Sequence, residues 1–488
     1  MWTHSTELKT VAIDIKGQWL EDKIWTISTD SRKIAPGQVF WALPGERFDG
    51  HDYIFSALQR GASAVVTARP VVESWLNQFP QVTWVFVGDT LKALQELARL
   101  RVEALKKDQK TKVLGITGSN GKTTCKEFTY QLARRVFPQH VVHGNQGSFN
   151  NHFGVPFNIL SAPPDVKILI CELGMNHAGE ITALSQIAQP DLVVCTMVGT
   201  AHIENFGSQE GIAKAKEEIY VSNPNALAVF NLSNSWTLKM AQKDLMTQRL
   251  QRIFFVHKRN PPLEGWDREV HLEMDAQVNS QGFLEVWGHI DRYEGRVELP
   301  LLGEHQVINI MAASAFHLGL GASPKDLWAS LKELSAPWGR NQLVRSARGC
   351  TILFDGYNAN PESMMALRKT LQSFFGNRPK VGVLGDMKEL GDFGFKAHYE
   401  LGMSFADLNA RKIFFVGQYG AEFSQGFYAA GGNPGQLSLV EEIDSTFISQ
   451  LREEVTKDTL VFIKASRAMK LEKVVEALDP IDFTSLYG

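Results

Sequence analysis

Apolar residues in this chain follow two periods. "LKALQELARLRVEALKK" (Leu91–Lys107) places them every third or fourth position, the period of an amphipathic helix. Most other apolar positions fall in short unbroken runs closed by glycine, proline or polar turns. "QVFWAL" and "ASAVVTA" lie in the first hundred residues, with the turn signal "LPGERFDG" between them. "VLGIT", "VKILICELG", "DLVVCTMVGTAH" and "NALAVFN" follow, then the helical stretch "HQVINIMAASAFHLGL". The pattern restarts with "TILFDGYNANP", "KVGVLGDMKELG", "KIFFVGQYG" and "TLVFIKASRAMKLEKVVEAL". Strand runs alternating with helical sequence predict an α/β protein with mostly parallel sheets.

Two breaks divide the pattern. The charged stretch "KKDQKTK" reads as a linker, and "SAPWGRN" (Ser335–Asn341) as a second boundary and candidate hinge. The expected domains are residues 1–110, 111–336 and 337–488. Three domains suit a chain of 488 residues. In parallel sheets, ligands bind beyond the carboxyl ends of strands, so the polar residues after each run are the ones that bear on function.

"LGITGSNGKTTCKE" (Leu114–Glu127) follows a strand and opens a helix. The common phosphate-binding spacing G-x-x-x-x-G-K-[ST] would put its first glycine at Ile116. The glycines stand instead at Gly115, Gly118 and Gly121. We read a P-loop variant in which Gly118 makes the tight turn, Lys122 brings charge to the β- and γ-phosphates, and the Thr123 hydroxyl reaches Mg²⁺. Glu172 follows "KILIC", where a carboxylate is either a metal ligand or a solvated strand end. His202 ends the next run, where a lone histidine is more often structural than a ligand. Lys214 and Lys216 sit in "GIAKAKEEIY" beside glutamates and look, by themselves, like a solvated helix face. "DGYNANPES" fits an Asx-rich turn. With "DMKELG" and "KASRAMK" it gathers polar residues on one sheet edge.

Composition changes little. The chain is 44% hydrophobic and 21% charged with a net charge of −3, so no global basic field points to nucleic acid. Its four cysteines form no C-x-x-C pair, which argues against a zinc ribbon or disulfide framework. No secretory segment or membrane span is visible, and a cytoplasmic protein is expected.

Taken in order, "GITGSNGKTTCKE", "CELGMNHAGEI", "AHIENFGS…AKAKEEI", "EHQVINIMAASA", "WGRNQ", "FDGYNANPESM", "LGDMKELG" and "KASRAMKLEKVVE" resemble the Mur ligase family over essentially the whole chain. "YNANP" with "LGDMKELG" is most similar to the member acting on UDP-N-acetylmuramoyl-tripeptide and D-alanyl-D-alanine. The D-N-P-R motif of the diaminopimelate- or lysine-adding member is absent. The resemblance implies an N-terminal UDP-substrate domain, a central ATPase and a C-terminal Rossmann-like domain. It implies ATP and Mg²⁺ as cofactors, an acyl-phosphate intermediate, and a cytoplasmic monomer with no nucleic-acid partner.

The same resemblance assigns residues. Gly118, Ser119, Asn120, Gly121, Lys122, Thr123 and Thr124 would cradle ATP, with Asn309, Arg340, Asp355 and Tyr357 also contacting the nucleotide. Thr123, Glu172, His202 and Lys216, the last as a carbamate, would serve magnesium. Lys122, Lys216, Glu172 and His202 would carry catalysis. Ser31 and Arg32 would meet the uridine diphosphate, and Asn150 and Asn151 the muramoyl part. The family run N-x-N-N is interrupted here, since Asn145 is followed by "QGSF" before Asn150, which weakens the assignment of Asn145. Rival readings are a sister amino-acid ligase, either another Mur ligase or a folylpolyglutamate synthase, and a P-loop NTPase without ligation. The third residue of the tripeptide is not legible.

Overall fold

A computed structural model describes the chain except residues 46–47, 146, 148, 261–265, 280–281, 374, 376–377 and 484–488. Its strands make three sheets. The first runs Trp2–His4, Ile24–Ser28, Val39–Trp41, Ala64–Thr67, Thr83–Phe86 and Asp14–Lys16 in spatial order. Its four inner strands are parallel and its two edges antiparallel. The second has nine strands: Tyr293–Leu299, Leu284–Ile290, Leu272–Val278, Arg252–His257, Leu227–Asn231, Leu192–Cys195, Lys112–Thr117, Val166–Glu172 and Val141–Gly144. The third runs Gln342–Arg345, Thr351–Phe354, Leu460–Lys464, Lys380–Gly385, Lys412–Val416 and Leu437–Val440, parallel after its first strand. The fold is the expected mostly parallel α/β arrangement.

The unbroken apolar runs have a clear cause. In the third sheet, Leu353, Leu384, Phe415 and Phe462 bury on one face, and Ile352, Phe354, Val383 and Ile463 on the other. Both faces are covered, so the central positions of these strands are apolar and the lysines fall only at their ends.

Two segments depart from expectation. "KKDQKTK" is not a free linker. The helix Thr90–Ala104 continues as a π-turn over Leu105–Gln109, and Lys106 reaches Asp191 at 3.1 Å. Only left-handed Lys110 and Thr111 precede the strand at Lys112. The strands Leu272–Val278, Leu284–Ile290 and Tyr293–Leu299 form an antiparallel meander that sequence reading did not mark. The last of them has a single buried residue, Leu299, and so carries no apolar alternation to read.

The chain falls into two compact units. One holds residues 1–117, 137–193 and 218–226, and the other 118–136, 194–217 and 227–488. Within the second, the helix Gln306–Gly319 packs on the helix Lys122–Val136. It buries His317, whose Nδ1 lies 2.6 Å from the Ala313 carbonyl. Burial holds the His317 pKa down at about 4, outweighing that bond. An unfolded histidine protonates near pH ~6.5. The unfolded chain therefore binds the extra proton first, and stability falls as pH drops from about 6.5 toward 4. The expected slope is about 1.4 kcal/mol per pH unit from this residue. Denaturant titrations of wild type and His317→Gln between pH 7 and 4.5 should differ by that slope, and equal slopes would refute it.

Candidate active site

The strand Lys112–Thr117 delivers the chain to Gly118, and the helix Lys122–Val136 takes it away. Gly118 has φ +146° and Gly121 has φ +84°. A Cβ on Gly118 would lie 1.9 Å from Thr196 Oγ1, and one on Gly121 2.3 Å from Asn309 Oδ1. Both positions require glycine for conformation and for close approach. Gly115 is different. It lies inside the strand, where a Cβ would meet Pro190 at 3.1 Å. It is a packing glycine, which explains the displaced spacing.

The loop is held from behind. Ser119 N–H donates to the Met197 carbonyl at 2.8 Å, and the Thr196 hydroxyl to the Asn120 carbonyl at 2.6 Å. The Lys122 ammonium folds back to the Gly118 carbonyl at 2.6 Å. The Ser119 Oγ and Asn120 Nδ2 atoms are buried without a hydrogen-bond partner among the described residues. Glycine turns, two spare polar groups, a lysine and a helix N-terminus suit a polyphosphate anion. Thr123 and Thr124 are buried in the first helical turn.

Beside the loop, the helix Gln209–Val221 separates its two lysines. Lys214 is exposed and pairs with Glu210 at 3.1 Å. Lys216 is 1% exposed. Burial, then the charge of Lys122, lowers its pKa to about 7 against an opposing effect of Cys195. His202 has φ +65°, and its Nδ1 lies 2.8 Å from Glu389 Oε2. The bond from His202, with the charges of His202 and Lys122, holds the Glu389 carboxyl below the usual range despite its burial. In the other unit, Glu172 Oε1 accepts from Asn150 Nδ2 at 2.8 Å. No three His, Cys, Asp or Glu side chains among the described residues converge on a metal-sized point. Of the residues assigned to magnesium by the sequence, Lys216 fits that role only if it supplies oxygen, the donor Mg²⁺ prefers.

The remaining sequence-derived residues fall in several places. Arg340 stacks its guanidinium 4.3 Å over the Tyr357 ring. Asp355 accepts from the Asn341 N–H at 3.1 Å and from Lys464 Nζ at 2.5 Å. Lys464 is buried, which lowers its pKa despite the Asp355 carboxylate. Asn309 donates to Gln306 Oε1 at 3.0 Å. Ser31 is buried, while Arg32 is exposed and spends its guanidinium on Asp30 at 2.9 Å, pulling that carboxyl to about 2. Asn151 Oδ1 accepts from Gly154 N–H at 2.9 Å at the start of the helix Gly154–Ser161. Asn145 Nδ2 closes its own loop onto the Phe149 carbonyl at 3.1 Å. Gln146 and Ser148 of that lengthened loop lie outside the described residues.

Sequence reading missed Asn360, Glu362, Glu389 and Lys464 as individuals. Asn360 Nδ2 donates to Asn120 Oδ1 at 2.7 Å, and Thr200 N–H to Glu362 Oε1 at 2.8 Å. All but Glu389 lie in or beside "DGYNANPES" and "KASRAMK"; Glu389 lies in "DMKELG". Nothing local singles them out from their neighbours.

Three family profiles match in chain order: the Mur ligase family catalytic domain over residues 23–102, the Mur ligase middle domain over 116–317, and the Mur ligase glutamate ligase domain over 339–467. A UDP-N-acetylmuramoyl-tripeptide–D-alanyl-D-alanine ligase of Bacillus subtilis is 33% identical over 476 residues, 96% of this chain and 98% of that one. A crystal structure of MurF from Acinetobacter baumannii superposes with a TM-score of 0.82 at 29% identity, covering 98% and 99% of the two chains. MurF ligase from Thermotoga maritima in complex with ADP gives 0.74 at 28%, covering 93% and 97%. With its loop geometry and its relatives in agreement from end to end, the chain belongs to the Mur ligase family.

Proposed function

We propose that this chain is the ATP-dependent ligase that joins D-alanyl-D-alanine to UDP-N-acetylmuramoyl-tripeptide, forming the UDP-muramoyl-pentapeptide of peptidoglycan. One observation carries the reading beyond simple ATP hydrolysis. The phosphate loop is engaged directly by the "YNANP" turn through Asn120 and Asn360. The nucleotide loop thus meets the turn whose sequence sets this chain's resemblance apart from the other Mur ligases. The domain limits 1–110, 111–336 and 337–488 belong to this reading, as do a cytoplasmic location and a monomeric state. No helix among the described residues is long and apolar enough to cross a membrane.

The tripeptide carboxylate attacks the γ-phosphorus of ATP, the bond to the β-phosphate oxygen breaks, and ADP leaves. The amine of D-alanyl-D-alanine then attacks the acyl carbon. The C–O bond to phosphate breaks, phosphate leaves with the electron pair, and the amine loses its proton. Two anions must meet in the first step, and Lys122 and Arg340 offset that charge. Thr123, Glu172, His202 and Lys216 as a carbamate are the residues the family resemblance assigns to magnesium, which would neutralise phosphate oxygens; Glu389 meets His202 only at Nδ1 and leaves Nε2 able to ligate. Lys216 reaches the carbamate when its neutral amine adds to CO₂ and releases a proton. Its burial favours that neutral amine.

Phosphate release with UDP-N-acetylmuramoyl-tripeptide tests the reading. It should rise at least about tenfold on adding D-alanyl-D-alanine, and free L-lysine or diaminopimelate should leave it unchanged. Release indifferent to any amine would favour a plain NTPase. Incorporation of lysine or diaminopimelate would favour a sister ligase.

A further inference from the structure

Asn360 stands at the start of the helix Pro361–Ser373. Its Oδ1 accepts from the Ser363 N–H at 2.9 Å, while Ser363 Oγ accepts from the Asn360 N–H at 3.0 Å. This reciprocal cap fixes which end of the amide faces inward. The NH₂ end is left to point at the phosphate loop, where it donates to Asn120 Oδ1 at 2.7 Å. Asn360 is 5% exposed, so this bond forms out of solvent.

Asn120 is held on its other side. Its carbonyl accepts from Thr196, and its Nδ2 is a buried donor without a partner among the described residues. One amide thus bonds to the C-terminal turn while keeping a donor for a phosphate oxygen. Two residues further on, Glu362 takes the Thr200 N–H. A Cβ on Gly199 would lie 3.0 Å from the same carboxylate. The turn that makes these contacts also carries Tyr357, under Arg340, and Asn358, whose carbonyl accepts from Lys464 at 2.9 Å.

We propose that Asn360 is a positioning residue for ligation: through Asn120 it couples occupancy of the phosphate loop to the placement of the Asp355–Asn360 turn. This rests on the ligase reading above. ATP that orders Asn120 fixes the acceptor for Asn360, and the turn then seats with Arg340 and Tyr357 in register. Without the bond, nucleotide still binds the loop, but the turn seats less often and turnover falls.

Asn360→Asp separates this role from the helix cap. A carboxylate still accepts the Ser363 N–H, but it has no proton to donate and sets an anion against Asn120 Oδ1. Ligation kcat, the affinity for a non-hydrolysable ATP analogue and the melting midpoint are measured for Asn360→Asp in the wild-type and Asn120→Ala backgrounds. In the wild-type background kcat should fall about tenfold and analogue affinity about fivefold, with the midpoint unchanged. In the Asn120→Ala background the same change should cost less than about twofold in each. Equal losses in both backgrounds, or no loss in the first, would overturn the coupling. If Asn360→Asp lowers the midpoint, Asn360→Ser, which keeps a capping hydroxyl, replaces it in the same cycle. A wild-type chain that makes no pentapeptide would count against the ligase reading alone, since analogue affinity still reads the coupling.

Discussion

Replacing Lys122 with alanine should lower ligation by about 10²–10³-fold, the usual cost of removing one group that stabilises developing charge. The fold should survive. Lys122 is the half-buried first residue of its helix, and its ammonium bonds back to the Gly118 carbonyl of its own loop. A second effect adds to the first. The Lys122 charge helps to keep the Lys216 amine neutral, so its loss moves Lys216 toward the ammonium that cannot add CO₂. Steady-state kcat with a thermal melt on the same sample checks both parts. Turnover within a few-fold of wild type would remove Lys122 from the reaction.

Lys216→Ala should cost at least about 10²-fold in kcat, and Lys214→Ala almost nothing. The two lysines are two residues apart on one helix, roughly 200° around its axis. The structure buries the first and exposes the second. Transfer of the activity loss to Lys214→Ala would reverse the assignment. Short carboxylic acids should partly restore the Lys216→Ala chain by filling the vacated oxygen position. ¹³C-labelled bicarbonate should give a carbamate NMR signal in wild type that is absent in the mutant. An active Lys216→Ala enzyme, or a wild-type chain without that signal at saturating Mg²⁺, would refute the carbamate.

Much of the fold was legible because burial is written in long apolar runs. The strands Lys112–Thr117 and Leu460–Lys464 are buried almost throughout, and the sequence around them reads that way. Strands of three residues such as Trp2–His4 leave no period to detect. The π-turn Leu105–Gln109 was hidden by its lysines, of which Lys106 carries its charged end to Asp191. The phosphate loop was legible because its residues are contiguous. Asn360 and Glu389 were not, because what distinguishes them is a partner far away: Asn120 lies 240 positions from Asn360, and His202 pairs with Glu389. Arg32 and Asn151 show the opposite effect, since close neighbours in the chain engage their side chains locally.

The cap at Asn360 also limits what this position can become. Asn, Asp, Ser and Thr are ordinarily near-equivalent at a helix start. Here one side chain must accept from Ser363 and donate to Asn120 at once. Aspartate can only accept when ionised. Serine and threonine carry one short hydroxyl where the amide has two separated ends. Substitutions that pass unnoticed at other helix starts are therefore closed off here, and the helix cannot be retuned without retuning the phosphate loop.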